Sequence, residues 1–273
     1  MKSRSKLRYI PPKLLKSDQN KELYHHLNLI PYLRMPFDFD FKTCMNEALK
    51  LLPLFVAHKD DTLSASSQRT GIWKSLALRA VDGDPTKTLY HNYYDMPGRQ
   101  FEMTRISTLC PTIVSFLKAI TDFDQCQRIR LMLLEPDAEI RPHSDAVNKN
   151  VLPSINIALN MPKECRFMVD CNWDGSHHPY TVQLPFKAGD IMIVNIAKFH
   201  YVVNNSKLPR IHIILEGPLR FTPNQLLVLA RRQNRICSKS ELMRSLVHKY
   251  SALGSQGLPQ NVMHGLGSYP VQK

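Results

Sequence analysis

The stretch from Asp190 to Leu215, DIMIVNIAKFHYVVNNSKLPRIHIIL, holds three short β-rich runs: Asp190–Asn195, His200–Val203 and Ile211–Leu215. Asn, Ser and Pro separate them. Each run is too short for a helix and too apolar for a surface loop, so each reads as a strand. Working back toward the N-terminus, four more runs of the same kind appear: Ile129–Leu134, Ser154–Leu159, Arg166–Asp170 and Tyr180–Leu184. Seven short strands spaced by Gly, Pro, Asn and Asp predict a sandwich or barrel, not βαβ units.

Helical signals lie on both sides of this block. Apolar residues at Phe41, Met45, Ala48, Leu51, Leu52 and Phe55 predict a helix within Phe41–His58. Pro111–Phe123 reads as a second helix, with Pro111 tolerated at its first position. Between them, residues 59–71 are polar and Ser-rich and read as a surface loop. Trp73–Val81 reads as a strand that stops at the turn Asp82-Gly83-Asp84-Pro85. Beyond Gly217-Pro218, two capping boxes, Thr222-Pro223-Asn224-Gln225 and Ser238-Lys239-Ser240-Glu241, predict two helix starts. The last twenty or so residues read as a tail. The expected fold is mainly β with flanking helices.

The chain has 273 residues, 43% of them hydrophobic and 22% charged, which is the composition of a globular protein with a real core. It has no apolar run of transmembrane length. Its N-terminus, MKSRSKLRYIPPKLLKS, has charge but no apolar centre and does not read as a secretory signal. The six cysteines have irregular spacing and no CxxC, so neither a disulfide scaffold nor a zinc ribbon is expected. A cytoplasmic chain with reduced thiols is the expectation.

The net charge of +13 sits at the ends. Residues 1–22 carry seven Lys/Arg against two Asp/Glu, residues 220–273 eight against one, and residues 23–219 are nearly balanced at 21 against 20. The expected organisation is therefore a basic arm (1–22), a central domain (23–219) and a basic helical extension with its tail (220–273). Basic ends suit an anionic partner such as nucleic acid or a membrane surface, and equally suit plain solubilisation. With no RNP-like aromatic run and no C2H2 spacing, solubilisation is the favoured reading.

The segment Glu139-Ile140-Arg141-Pro142-His143-Ser144-Asp145 carries the chemistry. On a strand, His143 and Asp145 point to one face, which brings an imidazole and a carboxylate together. His200 opens a later strand, and Arg210 follows ten residues on. Two imidazoles and a carboxylate from different strands make the facial triad of non-heme Fe(II), with one face of the metal left open. A forked, always-charged guanidinium nearby suits the carboxylate of a cosubstrate.

Residues 126–217 resemble the aspartyl/asparaginyl β-hydroxylase-like branch of the Fe(II)/2-oxoglutarate dioxygenases. The matching stretches are Arg130-Leu131-Met132-Leu133-Leu134-Glu135-Pro136, Arg141 to Asp145, Leu159-Asn160-Met161-Pro162-Lys163, Lys187-Ala188-Gly189-Asp190, and His200 followed by Arg210. A looser likeness reaches Trp73-Lys74-Ser75-Leu76 and Asp82-Gly83-Asp84-Pro85. The resemblance implies a double-stranded β-helix (jelly-roll, cupin-like) core, Fe(II), 2-oxoglutarate and O2. It implies His143, Asp145 and His200 as iron ligands and Arg210 as the receiver of the distal carboxylate of 2-oxoglutarate. It sets Ser154 and Asn156 beside the same cosubstrate, although both residue types differ from those of the best-known members. Asp145 stands where some members have Gly, and so completes the ordinary triad. The implied reaction is hydroxylation of an amino-acid C–H bond, free or within a peptide, coupled to oxidative decarboxylation of 2-oxoglutarate.

Three further residues are candidates for substrate contact. His212 shares a strand face with Arg210, Arg141 lies two before His143, and Trp73 lines the pocket by analogy with the family; each also has an ordinary packing or surface reading. His25-His26 and His177-His178 read as solvated loops rather than a second metal site. Two alternatives to the soluble hydroxylase stand: a non-catalytic jelly-roll binding module, and a hydroxylase acting on a nucleic-acid- or membrane-associated substrate.

Overall fold

The structure is a computed structural model and describes residues 31–58, 73–88, 100–143, 155–171, 180–196, 198–217, 219–221 and 223–239. The basic arm, His25-His26, the loop 59–71, Asp145, Ser154, His177-His178 and the tail lie outside the described residues.

The strands, in chain order, are β1 (Tyr32–Arg34), β2 (Val56–Ala57), β3 (Trp73–Val81), β4 (Phe101–Met103), β5 (Ile129–Leu134), β6 (Ala138–His143), β7 (Ile155–Ala158), β8 (Cys165–Cys171), β9 (Tyr180–Gln183), β10 (Ile191–Val194), β11 (His200–Asn204) and β12 (Arg210–Leu215). The helices are α1 (Phe41–Lys50), α2 (Pro111–Ile120) and α3 (Pro223–Lys239). All seven predicted barrel strands form, with ends shifted by one residue at most, as does the strand predicted at Trp73–Val81.

The strands make two antiparallel sheets. The larger runs β1-β10-β7-β12-β5-β3-β2, with β4 on β3, and the smaller runs β6-β11-β8-β9. From β5 onward the chain crosses between the sheets at nearly every connection, and this interleaving is the double-stranded β-helix. Strands β5, β7 and β10 are buried along their whole length. Their outer residues, among them Leu131, Ile157 and Ile193, join one core with the helix residues Ala48, Ile113, Leu117, Leu226, Leu227 and Ala230. Their inner residues, Leu134, Ala158, Met192 and Val194, meet Ile140, Phe167, Val169 and Val202 of the smaller sheet. Burial on both faces is why these strands are mostly apolar instead of alternating, with the buried Arg130 in β5 and Asn156 in β7 as exceptions. In the smaller sheet β6 alternates buried Ala138 and Ile140 with exposed Glu139 and Arg141.

The helix predicted within Phe41–His58 stops at Lys50. Pro53 forms a short 3-10 turn, Leu52–Leu54, and the chain then enters β2. The helix predicted at Pro111–Phe123 ends at Ile120. Its N-terminus is capped from a distance: the buried Glu47 carboxylate of α1 accepts the N–H groups of Thr112 (2.9 Å) and Ile113 (3.0 Å). Ser238, the first residue of the second predicted capping box, belongs to α3, which runs through Lys239; the rest of that motif lies outside the described residues. Gly189 holds a left-handed φ of +87°, and a Cβ there would come within 2.9 Å of the Phe41 ring. Only glycine lets the turn before β10 nestle under α1.

Candidate active site

His143 ends β6 and His200 opens β11, and the two residues pair directly across the sheet. Their rings stand 4.3 Å apart between centroids. Simple alternation along β6 would turn His143 outward, because Ala138 and Ile140 face in. The register instead shifts: Val202 pairs with Ile140, and His200 with His143, so two residues of β11 span three of β6. This β-bulge contains Pro142, which has no N–H to give the ladder. The bulge returns His143 to the inner face beside His200.

The bulge also corrects an expectation. Arg141 does not share the face of His143. It is exposed, with its guanidinium 3.9 Å from the exposed Glu139 carboxylate.

Both histidines have their rings anchored. His143 Nδ1 lies 2.7 Å from the Arg141 carbonyl, and His200 Nδ1 lies 3.0 Å from the Lys198 carbonyl. A carbonyl only accepts, so each Nδ1 carries the proton, and each lone pair sits on Nε2. That is the tautomer a metal requires, fixed in place by the backbone. Among the described residues no group of three metal-binding side chains occurs; Asp145 is outside them.

Arg210 opens β12 and is 3% exposed. Its Cζ lies 5.5 Å from the centre of the Phe167 ring. Phe167 in turn sits 6.1 Å from the His200 ring, so one aromatic side chain spans the space between the histidine pair and the guanidinium. Asn160 fixes the backbone on both sides of Arg210, donating to the Pro209 carbonyl (2.7 Å) and accepting from the Ile211 N–H (2.7 Å). Arg210 has no carboxylate partner among the described residues, and its Nε is buried without a hydrogen bond. Burial lowers its pKa to about 10, still a charged group at neutral pH. The neighbouring Cys165 thiol is pushed up by burial and stays neutral, so it does not compensate the charge. A buried cation in this state fits a small anionic group.

His212 follows on the same inner face and is fully buried. The Arg210 guanidinium donates to its Nδ1 (2.7 Å). Asn156 is buried on the inner face of β7, across from Ile214 and Met192. Trp73 begins β3 opposite Leu134, and its indole N–H is buried without a partner. The Trp73 ring lies 4.2 Å from the ring of His58.

His58 is a residue that sequence reasoning passed over. It is buried beside β3, and its Nδ1 lies 2.9 Å from the Ser75 hydroxyl, which donates to the Thr88 hydroxyl (2.8 Å). Burial, and then the charges of Arg130 and Arg128, hold its pKa well below the ordinary value. Thr88 also accepts, through its carbonyl, from both of those arginines, which converge on Glu216. No spacing motif marks His58, because it lies just past the two-residue strand β2, outside the β-helix.

Residues 38–217 match the model of the aspartyl/asparaginyl beta-hydroxylase family. The chain belongs to that family. It is an enzyme of the hydroxylase class, as the resemblance in the sequence implied. No curated protein matches it. Solved structures similar to it include the non-heme alpha-ketoglutarate-dependent epimerase SnoN of nogalamycin biosynthesis (18% identity, 71% of this chain and 80% of that chain, TM-score 0.43). They also include a prolyl hydroxylase from Trichoplax adhaerens in complex with a peptide fragment (12%, 77% and 91%, TM-score 0.44) and a 2OG-Fe(II) oxygenase family protein from Burkholderia pseudomallei (14%, 76% and 96%, TM-score 0.43). At these scores the likeness adds nothing to the topology already read from the strand pairing.

Proposed function

We propose that this hydroxylase is dependent on Fe(II) and 2-oxoglutarate and acts on a C–H bond of an amino-acid residue, free or within a peptide. The observation that carries the reading is the histidine pair. Two imidazoles from different strands meet across a bulge, each with Nδ1 tied to a backbone carbonyl and its lone pair on Nε2. His143 and His200 would hold the iron, with Asp145 as the third ligand. Arg210 would receive the distal carboxylate of 2-oxoglutarate. Asn156 and Ser154 are assigned to the cosubstrate on the strength of the family resemblance. When bound, the iron and 2-oxoglutarate supply the oxidising chemistry, with O2 as oxidant and succinate and CO2 as products.

The protein's own part is positioning and exclusion of water. The backbone carbonyls of Arg141 and Lys198 fix the ring orientation, Asn160 fixes the strand that presents Arg210, and the stacked rings of Phe167 and Phe186 give the space between the sheets an apolar wall. The test is anaerobic. Adding Fe(II) and 2-oxoglutarate to metal-free protein is expected to give the weak visible charge-transfer band of the chelate. His143→Ala and His200→Ala are expected to lose it, together with succinate release in air. Folded wild-type protein that gives no band would sink the assignment and leave a non-catalytic jelly roll.

A further inference from the structure

The near balance of charge in residues 23–219 hides a segregation between the helices and the rest of the fold. α1 carries two basic residues, α2 one and α3 four, seven in all, against a single acidic residue, Glu47. Glu47 is buried, and its carboxylate is occupied by the N-terminus of α2. Lys42, Lys50, Lys118, Arg231, Arg232 and Arg235 are exposed. The acids next to the helices in the chain stand in the turns at their ends: Asp38 and Asp40 before α1, Asp122 and Asp124 after α2. Asp40 is spent on capping, accepting from the Thr43 N–H (3.0 Å) and hydroxyl (2.6 Å).

The three helices form one layer. Their apolar sides join a single core behind the larger sheet. A run of aromatic rings ties them together. Phe37 meets Phe221, two residues before α3, at 5.0 Å between centroids. Phe39 meets Phe116 of α2 at 4.2 Å and Phe41 of α1 at 6.4 Å. The basic sides therefore face away from the larger sheet, on the opposite side from Arg210.

A helix that needs only solubility interleaves Glu with Lys and Arg, so that residues four apart attract. α3 does not: its 17 residues include no Asp or Glu, and Arg231 and Arg235 are like charges four apart. The macrodipole favours cations in the last turn, but Arg231 and Arg232 lie in the middle of the helix. A face of one sign, rich in guanidinium forks, complements a chain of phosphodiesters. A bilayer is a poorer match. Leu226, Leu227 and Ala230 are buried in the core, so α3 has no apolar side to lay into lipid. Single strands are a poorer match too. Phe41 and Phe116 pack against Phe39, which leaves no exposed ring on these helices for bases to stack on. Charge on a rigid surface is what a duplex backbone requires.

We infer that the outer face of α1, α2 and α3 binds the phosphate backbone of duplex nucleic acid, without contacts to the bases. Arg231, Arg232 and Arg235 supply most of the attraction, and the lysines of α1 and α2 extend it. The duplex lies across the larger sheet from the His143–His200 pair, so it docks the enzyme and is not its substrate. The inference is independent of the iron and 2-oxoglutarate assignment.

The experiment titrates the full chain into a fluorescent DNA duplex of about two helical turns and reads anisotropy between about 50 and 200 mM NaCl. Wild type is expected to bind two duplexes of unrelated sequence equally, with an affinity that falls steeply as salt rises. The triple variant Arg231→Gln, Arg232→Gln, Arg235→Gln is expected to bind at least about tenfold more weakly at the low-salt end. Its slope of log affinity against log salt should be shallower by about 2 to 3. A second triple variant, Lys42→Gln, Lys50→Gln, Lys118→Gln, is expected to lose about threefold, and it decides the matter should circular dichroism show the arginine variant unfolded. A third, with Lys2, Arg4, Lys6 and Arg8 all changed to Gln, is expected to keep most of the binding, because the helices and not the basic arm supply it. Wild type that ignores both duplexes at low salt overturns the inference. So does an arginine or lysine variant that folds and binds as wild type does, or an arm variant that loses all binding. A strong preference for one sequence overturns the backbone-only reading. Capture of wild type by vesicles of about 30% phosphatidylserine, with no duplex binding, overturns it in favour of a membrane surface.

Discussion

At the scale of the residue, the site stores electrostatic cost in Arg210. A guanidinium that is 3% exposed, with no carboxylate among the described residues, lowers the stability of the ligand-free protein. The cation–π contact with Phe167 and the hydrogen bond to His212 offset part of that cost. Removing the charge should therefore separate stability from binding. Arg210→Met, which keeps the volume, is expected to melt at or above the temperature of ligand-free wild type. It should lose the upward melting shift that 2-oxoglutarate gives the metal-loaded protein, and its 2-oxoglutarate requirement should rise by about a hundredfold, the worth of a charged hydrogen-bonded pair. Thermal melts with and without 2-oxoglutarate check this; an Arg210→Met protein that keeps its ligand shift would refute the role of the arginine. His143, His200 and Arg210 were legible in the sequence because their types and spacing are demanded by the chemistry. His58 was not, since its position depends on β2 pairing with β3, and no local pattern states that pairing.

The element that shapes the site is the bulge of β6. Alternation assigns residues to faces only while the ladder is regular, and one inserted residue reverses every face beyond it. That is why Arg141 could be expected beside His143 and is instead exposed. The bulge makes opposite demands on two adjacent positions. Arg141→Ala is expected to leave iron and 2-oxoglutarate affinity within about twofold of wild type, as for a surface substitution of small effect. Pro142→Val supplies the missing N–H and permits an even ladder, in which position 142 pairs with His200 and His143 turns to the outer face. The Pro142→Val protein is expected to keep its β-sheet circular dichroism and lose the charge-transfer band. A Pro142→Val protein that still forms the chelate would show that the proline is not what holds the bulge. Elsewhere the strands of the larger sheet were readable because they are covered on both faces. The three-residue strands β1 and β4 and the two-residue β2 were not, because such lengths carry no period. The capping-box pattern at Ser238 begins in the last turn of α3, so Ser238 is itself helical, while Ser240 and Glu241 lie outside the described residues.

Across the whole molecule, the sequence disclosed that there would be a barrel and not which strand pairs with which. The sheet order depends on contacts between strands far apart in the chain, such as β5 with β12 and β1 with β10. The matched family region ends at residue 217, yet α3 lies beyond it and contributes Leu226, Leu227 and Ala230 to the core that backs the larger sheet. Part of the basic extension is thus structural. The same closely packed interior gives the protein a sensitivity to acid that surface charges do not. His58 and His212 are buried, and burial together with neighbouring arginines holds both well below the ordinary histidine pKa in the folded state. Below about pH 6.5 the unfolded chain takes up a proton on each while the native state does not, so protons favour unfolding. Each histidine then removes up to about 1.4 kcal/mol of stability per pH unit. Glu216 acts later. Burial alone would raise its pKa, but Arg128 and Arg130 outweigh it and hold the carboxylate low, so its contribution persists through this range and is lost only at more acid pH. Urea unfolding of the metal-free protein at pH 7.5, 6.5 and 5.5 is therefore expected to show little change over the first step and a clear fall over the second. His212→Phe removes one of the two buried imidazoles and is expected to take about half of that fall away. A stability that stays flat down to pH 5 in the wild type would mean that the two rings gain their protons as readily inside the fold as outside it.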